Sequence, residues 1–193
     1  MKAIFAALLA FTAISAGLLA SACGSSGHEE HARSLYNAYR AAEDSRTDAE
    51  EELRLAFADI SSAAQKLDRE GVLAAAKRGQ DAVQKIDDLI AAELEAAAGL
   101  AEIESTAPHA KKLSEGLEQS RQSLALVAKE LEIALDDPFL DTRKREVDDL
   151  ATQSTDLAVK GELAIRRADR ELALALGLEP RLDQAVTTPT TTG

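Results

Sequence analysis

An all-α fold, an antiparallel up-down-up-down four-helix bundle with coiled-coil-like seams, is what this 193-residue chain predicts, and three observations carry the prediction. The chain is filled with the helix formers Ala, Leu, Glu, Lys and Arg, whereas strands favour β-branched and aromatic residues and aromatics make up only 3%. From about Glu29 onward, apolar and small residues recur at alternating spacings of three and four, which places them on one helix face. Each break in that spacing carries Gly or Pro, and each connection is only a few residues long, so consecutive helices must be antiparallel neighbours.

The first helix reads Ala32, Leu35, Tyr39, Ala42, then Ala49, Leu53, Ala56, Ile60, Ala63 and Leu67, and stops at Gly71. Arg46 falls in an apolar slot, and Thr47-x-x-Glu50 has the spacing of a capping box, which predicts a kink or restart between Asp44 and Asp48. The second runs through Val72, Ala76, Val83, Ile86, Ile90, Leu94, Ala97 and Leu100 to a break at Ser105 to Pro108. Leu113, Leu117, Ser120, Leu124, Val127, Leu131 and Ala134 form the third, closed by Asp136-Asp137-Pro138. Pro138 suits the first turn of the fourth, where its missing N–H is not needed, and that helix continues through Leu140, Val147, Leu157, Ala164 and Leu172 to Gly177. Helices of roughly 30 to 40 residues would be ~45 to 60 Å long. Near-heptad spacing implies crossing angles near ~20°, and the many Ala, Ser and Gly core slots predict close approach with little interior volume. An alternative is a pair of long helical hairpins that complete their core by homo-oligomerisation.

The first 22 residues have a different character. Lys2 precedes an apolar run from Ala3 to Ala20, the pattern of a secretory signal. The segment Leu19-Ala20-Ser21-Ala22-Cys23-Gly24 resembles the lipobox of bacterial lipoproteins, with Ala20 where that pattern usually carries Leu. The resemblance implies removal of residues 1–22, a thioether-linked diacylglycerol and a palmitate-type acyl chain on Cys23, and an exported body anchored to the cell membrane or outer membrane. An uncleaved anchor is the other reading, since the apolar run approaches the ~20 residues that span a bilayer. Residues 23–28 then form the lipidated cysteine and a flexible spacer, residues 29–177 the bundle, and residues 178–193 a disordered Thr/Pro-containing tail.

The body carries no recognisable reaction motif. A single cysteine excludes an internal disulfide, and the Glu-x-x-His pairs of di-iron bundles do not precede any of the three histidines. Up-down topology brings His28, His31 and His109 to one end, so His31 and His109 are candidate ligands of a surface transition-metal site; the alternative is exposed histidines in a linker and a loop. No other cofactor is implied. A net charge of −12 and the scarcity of aromatics argue against nucleic acid as a partner. The Asp81/Lys85 and Glu162/Arg166 spacings read as solvated ion pairs.

Two functional classes remain. One is a non-enzymatic, membrane-anchored lipoprotein that binds or spaces an envelope protein or polymer; the other is a small-ligand or metal carrier bundle. Cavity volume separates them, because a carrier needs a pocket of several hundred cubic ångströms. On the lipidation reading, Cys23→Ser abolishes labelling by radioactive fatty acid and releases the protein from membranes, and unchanged labelling would disprove it.

Overall fold

A computed structural model describes residues 26–181; the expected signal segment, Cys23 and residues 182–193 lie outside the described residues. Four helices, α1 (Ser26–Gln65), α2 (Arg69–Ala101), α3 (Ala107–Asp136) and α4 (Lys144–Ala175), form an all-α antiparallel four-helix bundle, with no strand among the described residues. None of these helices is long and apolar enough to cross a membrane.

The helix boundaries refine the sequence reading. α1 begins at Ser26, inside the expected spacer, and runs unbroken through Asp44 to Asp48. The capping box does not form; Thr47 instead donates its hydroxyl to the Glu43 carbonyl, an ordinary i to i−4 bond within a helix. The first turn closes before Gly71: Leu67 adopts a left-handed φ of 55°, and Asp68 caps α2 by accepting from the Gly71 amide at 2.9 Å. Pro108, rather than Pro138, occupies a first helical turn. Pro138 and Leu140 belong to the α3–α4 loop, where Asp137 accepts from the amides of Asp141 and Thr142 and so competes with continued helix. α4 ends as expected at Gly177, whose φ of +65° forms a Schellman turn with Leu178 N–H donating to Ala173 and Gly177 N–H to Leu174. Leu178 packs on the core and Arg181 pairs with Asp44 at 2.6 Å, so the expected tail is held as far as residue 181.

Three seams of the bundle are packed and one is not. Tyr39, Ile90, Leu100, Leu113, Leu117, Ile165 and Leu172 are fully buried in a core that all four helices share. α3 and α4 approach most closely at Gly116 and Gly161. A Cβ on Gly161 would lie 2.9 Å from the Gly116 carbonyl oxygen, and one on Gly116 would lie 3.0 Å from that of Gly161. α2 joins the two hairpins by packing on both α1 and α3. Between α1 and α4, however, no pair of Cα atoms comes within 8 Å among the described residues. The expectation of little interior volume fails there, for a reason that lies in the charged residues facing that seam.

On the surface, Glu162 and Arg166 pair at 2.6 Å as expected, whereas Lys85 reaches across to Glu52 of α1 at 3.0 Å rather than to Asp81. Gly161→Ala forces the α3–α4 backbones apart and should lower stability in urea by about 1 to 3 kcal/mol. Gly27→Ala, where an added Cβ meets nothing within 4 Å, is the control and should be neutral or slightly stabilising.

Candidate functional site: a charged bridge and an open groove

Arg46 sits in the core register of α1, and the structure resolves what the sequence presents as a defect. Its side chain is buried; Nε donates to Glu93 Oε1 of α2 at 2.7 Å, and Nη1 pairs with Glu50 one turn along α1. Glu93 is fully buried in register with Ile86, Ile90, Ala97 and Leu100. An isolated charge at such a depth is prohibitively costly, so each partner requires the other. The pairing is incomplete, because Glu93 Oε2 accepts no hydrogen bond. Burial pushes the Glu93 carboxyl up to about 7; the attraction of Arg46 opposes this, and the like charges of Glu43 and Glu50 reinforce it.

Two turns nearer the α1 N-terminus, polar contacts replace apolar packing across the α1–α4 gap. Asp169 of α4 accepts from the Tyr36 hydroxyl at 2.8 Å and from Arg40 Nη1 at 2.6 Å. Arg33 adds a bond from Nη2 to the Leu176 carbonyl at 3.1 Å, closing the lower end. Tyr39 is fully buried beside this bridge with its hydroxyl unpartnered, and its ionisation is suppressed by burial and the surrounding carboxylates. Glu43 Oε2 lies 3.2 Å from Arg40 without a hydrogen-bonding alignment, and burial raises the Glu43 carboxyl above its ordinary value.

The open seam forms a two-chambered groove. Its middle chamber, of about 680 Å³, is walled by Leu53, Ile86, Ile90, Leu124, Val127 and Leu163, with the Arg46–Glu50 and Arg166–Glu162 pairs along its edge. The second chamber, of about 1110 Å³, continues toward the Asp169 bridge and is lined mainly by charged residues of α1 and α4. Glu50, Glu162 and Arg166 belong to both. Large apolar side chains left in solvent concentrate along the α4 lip: Val159 is 54% exposed, Leu163 65% and Leu174 59%. Behind the middle chamber, Ser123 of α3 donates to the Ser154 carbonyl at 2.7 Å, while the Ser154 hydroxyl reaches the buried Glu130 at 3.2 Å.

The residues singled out from sequence fare differently. Cys23 lies outside the described residues. His31 is exposed on α1. His109, at the start of α3, is tied instead to α4 through Nδ1 and Glu171 Oε2 at 3.0 Å. Glu171 also receives Lys112 at 2.9 Å and Arg167 at 3.2 Å, and these donors hold its carboxyl down to about 2. Among the described residues no three His, Cys, Asp or Glu side chains form a group that could hold a metal ion. Hydrophobic spacing does not mark the groove residues, although one sequence signal is present: Glu93 occupies a core position of α2 between Ile90 and Ala97, opposite a helix with Arg46 in its own core register.

No family model, curated protein or solved structure matches the chain.

The Arg46–Glu93 pair yields two measurable consequences. Arg46→Leu leaves Glu93 buried without its cation and should cost about 3 to 5 kcal/mol, whereas Arg46→Leu combined with Glu93→Leu should recover most of that loss in urea unfolding. Because the folded-state Glu93 carboxyl is raised, its contribution is fully present below the unfolded value near 4.5 and is lost as pH rises through about 7. The stability difference between the wild type and Glu93→Gln should therefore shift in favour of the variant between pH 4.5 and 7.

Proposed function

We propose that this chain is a non-enzymatic binding bundle that holds a small apolar molecule in the α1–α4 groove, displayed outside the cytoplasm on a lipid anchor at Cys23. The observation that carries the reading is the middle chamber, whose volume of about 680 Å³ falls within the ~300 to 1,000 Å³ of small-molecule sites. A pure spacer rod needs no such space, since small residues at its seams would let every helix pair close as α3 and α4 do at Gly116 and Gly161. Solvent-exposed Val159 and Leu163 on the lip add an unmet apolar surface that a ligand would cover. The lipobox resemblance supplies the location, and a tethered bundle could receive an apolar molecule from, or deliver it to, the membrane beneath. Neither a nucleic acid nor a cofactor enters this reading.

The test is uptake of a polarity-sensitive naphthylamine dye by the full chain. Blue-shifted, saturable fluorescence is expected. Val127→Trp, which fills the chamber, and Leu163→Asp, which makes its lip polar, should each weaken uptake by about tenfold or more. Saturable uptake that both folded variants leave unchanged would place the dye elsewhere and overturn the reading.

A further inference from the structure

The last described residues lie at the mouth of the open seam. After the turn at Gly177, Leu178 packs on the core, and Pro180 and Arg181 line the second chamber. Both ends of the Arg181 guanidinium donate to Asp44 of α1, Nη1 to Oδ1 at 2.6 Å and Nη2 to Oδ2 at 3.0 Å. The partners on α1 set the course of this segment. Arg33 holds the Leu176 carbonyl and Asp44 holds Arg181, and Asp44 lies ~16 Å beyond Arg33 by helical rise. Five residues of extended chain cover about the same distance, so the segment leaves α4 and climbs the groove toward the middle chamber.

The next five residues have the length and the chemistry to continue along that path. Leu182, Ala185 and Val186 are followed only by Thr, Pro and Gly, and Asp183 is the one charged residue after Arg181. From Asp44 to Leu53, in the wall of the middle chamber, α1 rises by ~14 Å, and residues 182–186 extended would span ~17 Å. Alternate side chains of an extended segment face the same way, so Leu182 and Val186 would share a face. Across from Leu53, Leu163 and Val159 of α4 line the same chamber and stay largely in solvent. We propose that residues 182–186 fold back into the α1–α4 groove, Leu182 toward Leu163 and Val186 toward Val159, so that the protein's own C-terminal segment occupies the groove until a ligand displaces it. Only that last consequence, displacement, rests on the binding role proposed above.

Proximity selects this occupant. Tethered at Arg181, the segment meets the groove at an effective concentration on the order of millimolar, whereas a second copy or a separate partner must be recruited from solution. The other terminal segment starts much farther away, since Ser26, the first described residue, lies ~40 Å from Leu53 along α1. The charges at the edge of the middle chamber pair with one another, Arg46 with Glu50 and Arg166 with Glu162, which suits a nearly uncharged segment.

Two readouts on the full chain test the proposal. Leu182→Asp combined with Val186→Asp leaves every described residue unchanged and should tighten naphthylamine dye uptake about tenfold, the gain expected if the segment leaves the groove free about one tenth of the time. In a Cys23→Ser background, Val186→Cys paired with Val159→Cys should form an intramolecular disulfide under mild oxidation. Val186→Cys paired with Leu55→Cys, at an exposed α1 residue that lines neither chamber, should not. Unchanged dye affinity in the Leu182→Asp, Val186→Asp chain, or equal crosslinking to positions 159 and 55, would overturn the inference but not the binding role. Disulfide-linked dimers in place of the crosslinked monomer would give the groove to a second copy and overturn it as well. Selective crosslinking within the monomer, with no dye uptake by either chain, would support the docked segment and overturn the binding role.

Discussion

Burying Arg46 and Glu93 inside a bundle otherwise built from Ala, Leu and Ile sets the spacing of everything around them. A guanidinium and a carboxylate at such depth must meet each other, and at 2.7 Å they do, fixing the register of α1 against α2. The same pair also brings Glu50, Tyr39 and Glu43 into the interior or to its edge, since they share the α1 face on which Arg46 lies. A helix face carrying that much polar bulk cannot interdigitate with α4 as a face of alanines would. The width of the α1–α4 gap is thus a packing consequence of a few charged residues placed where apolar ones would close the bundle.

Each wall of the bundle shows a different solution to the same problem. Between α3 and α4, Gly116 and Gly161 remove side chains altogether and bring the backbones into contact. Between α1 and α2, small core residues such as Ala49, Ala56, Ala75 and Ala82 are buried along the seam. Between α1 and α4, Tyr36, Arg40 and Asp169 span a distance that backbone packing leaves open. The polar bridge therefore ties the two helices together at one end of the seam, and the groove runs alongside it and on past Arg46. The charged lining of one chamber and the apolar lining of the other follow from where along α4 the acid Asp169 gives way to Val159 and Leu163.

Much of this architecture was legible in the chain. The helix count, the antiparallel order and the Gly177 stop follow from local rules: spacing of apolar residues, loop length, and the left-handed conformation that glycine adopts without strain. The boundaries that the structure moves are local in kind too. Gly71 has the chemistry of a helix end, but three residues earlier Asp68 already caps the next helix. Pro138 suits the first turn of α4, but Asp137 captures the amides of Asp141 and Thr142, and the helix starts only at Lys144. Side-chain hydrogen bonds with backbone amides decide such boundaries, and hydrophobic spacing does not register them.

The groove is a different matter, because no local rule contains it. The sequence by itself determined that four amphipathic helices would pack side by side, since burying their apolar stripes permits few other arrangements. It also determined that Arg46 would interrupt one of those stripes. Only the tertiary structure decided that the interruption would be met by Glu93 from the neighbouring helix and that α1 and α4 would remain apart. Those outcomes depend on which residues separated by 47 positions in one case and 129 in another come to face each other, and that pairing is fixed by the combined packing of all four helices.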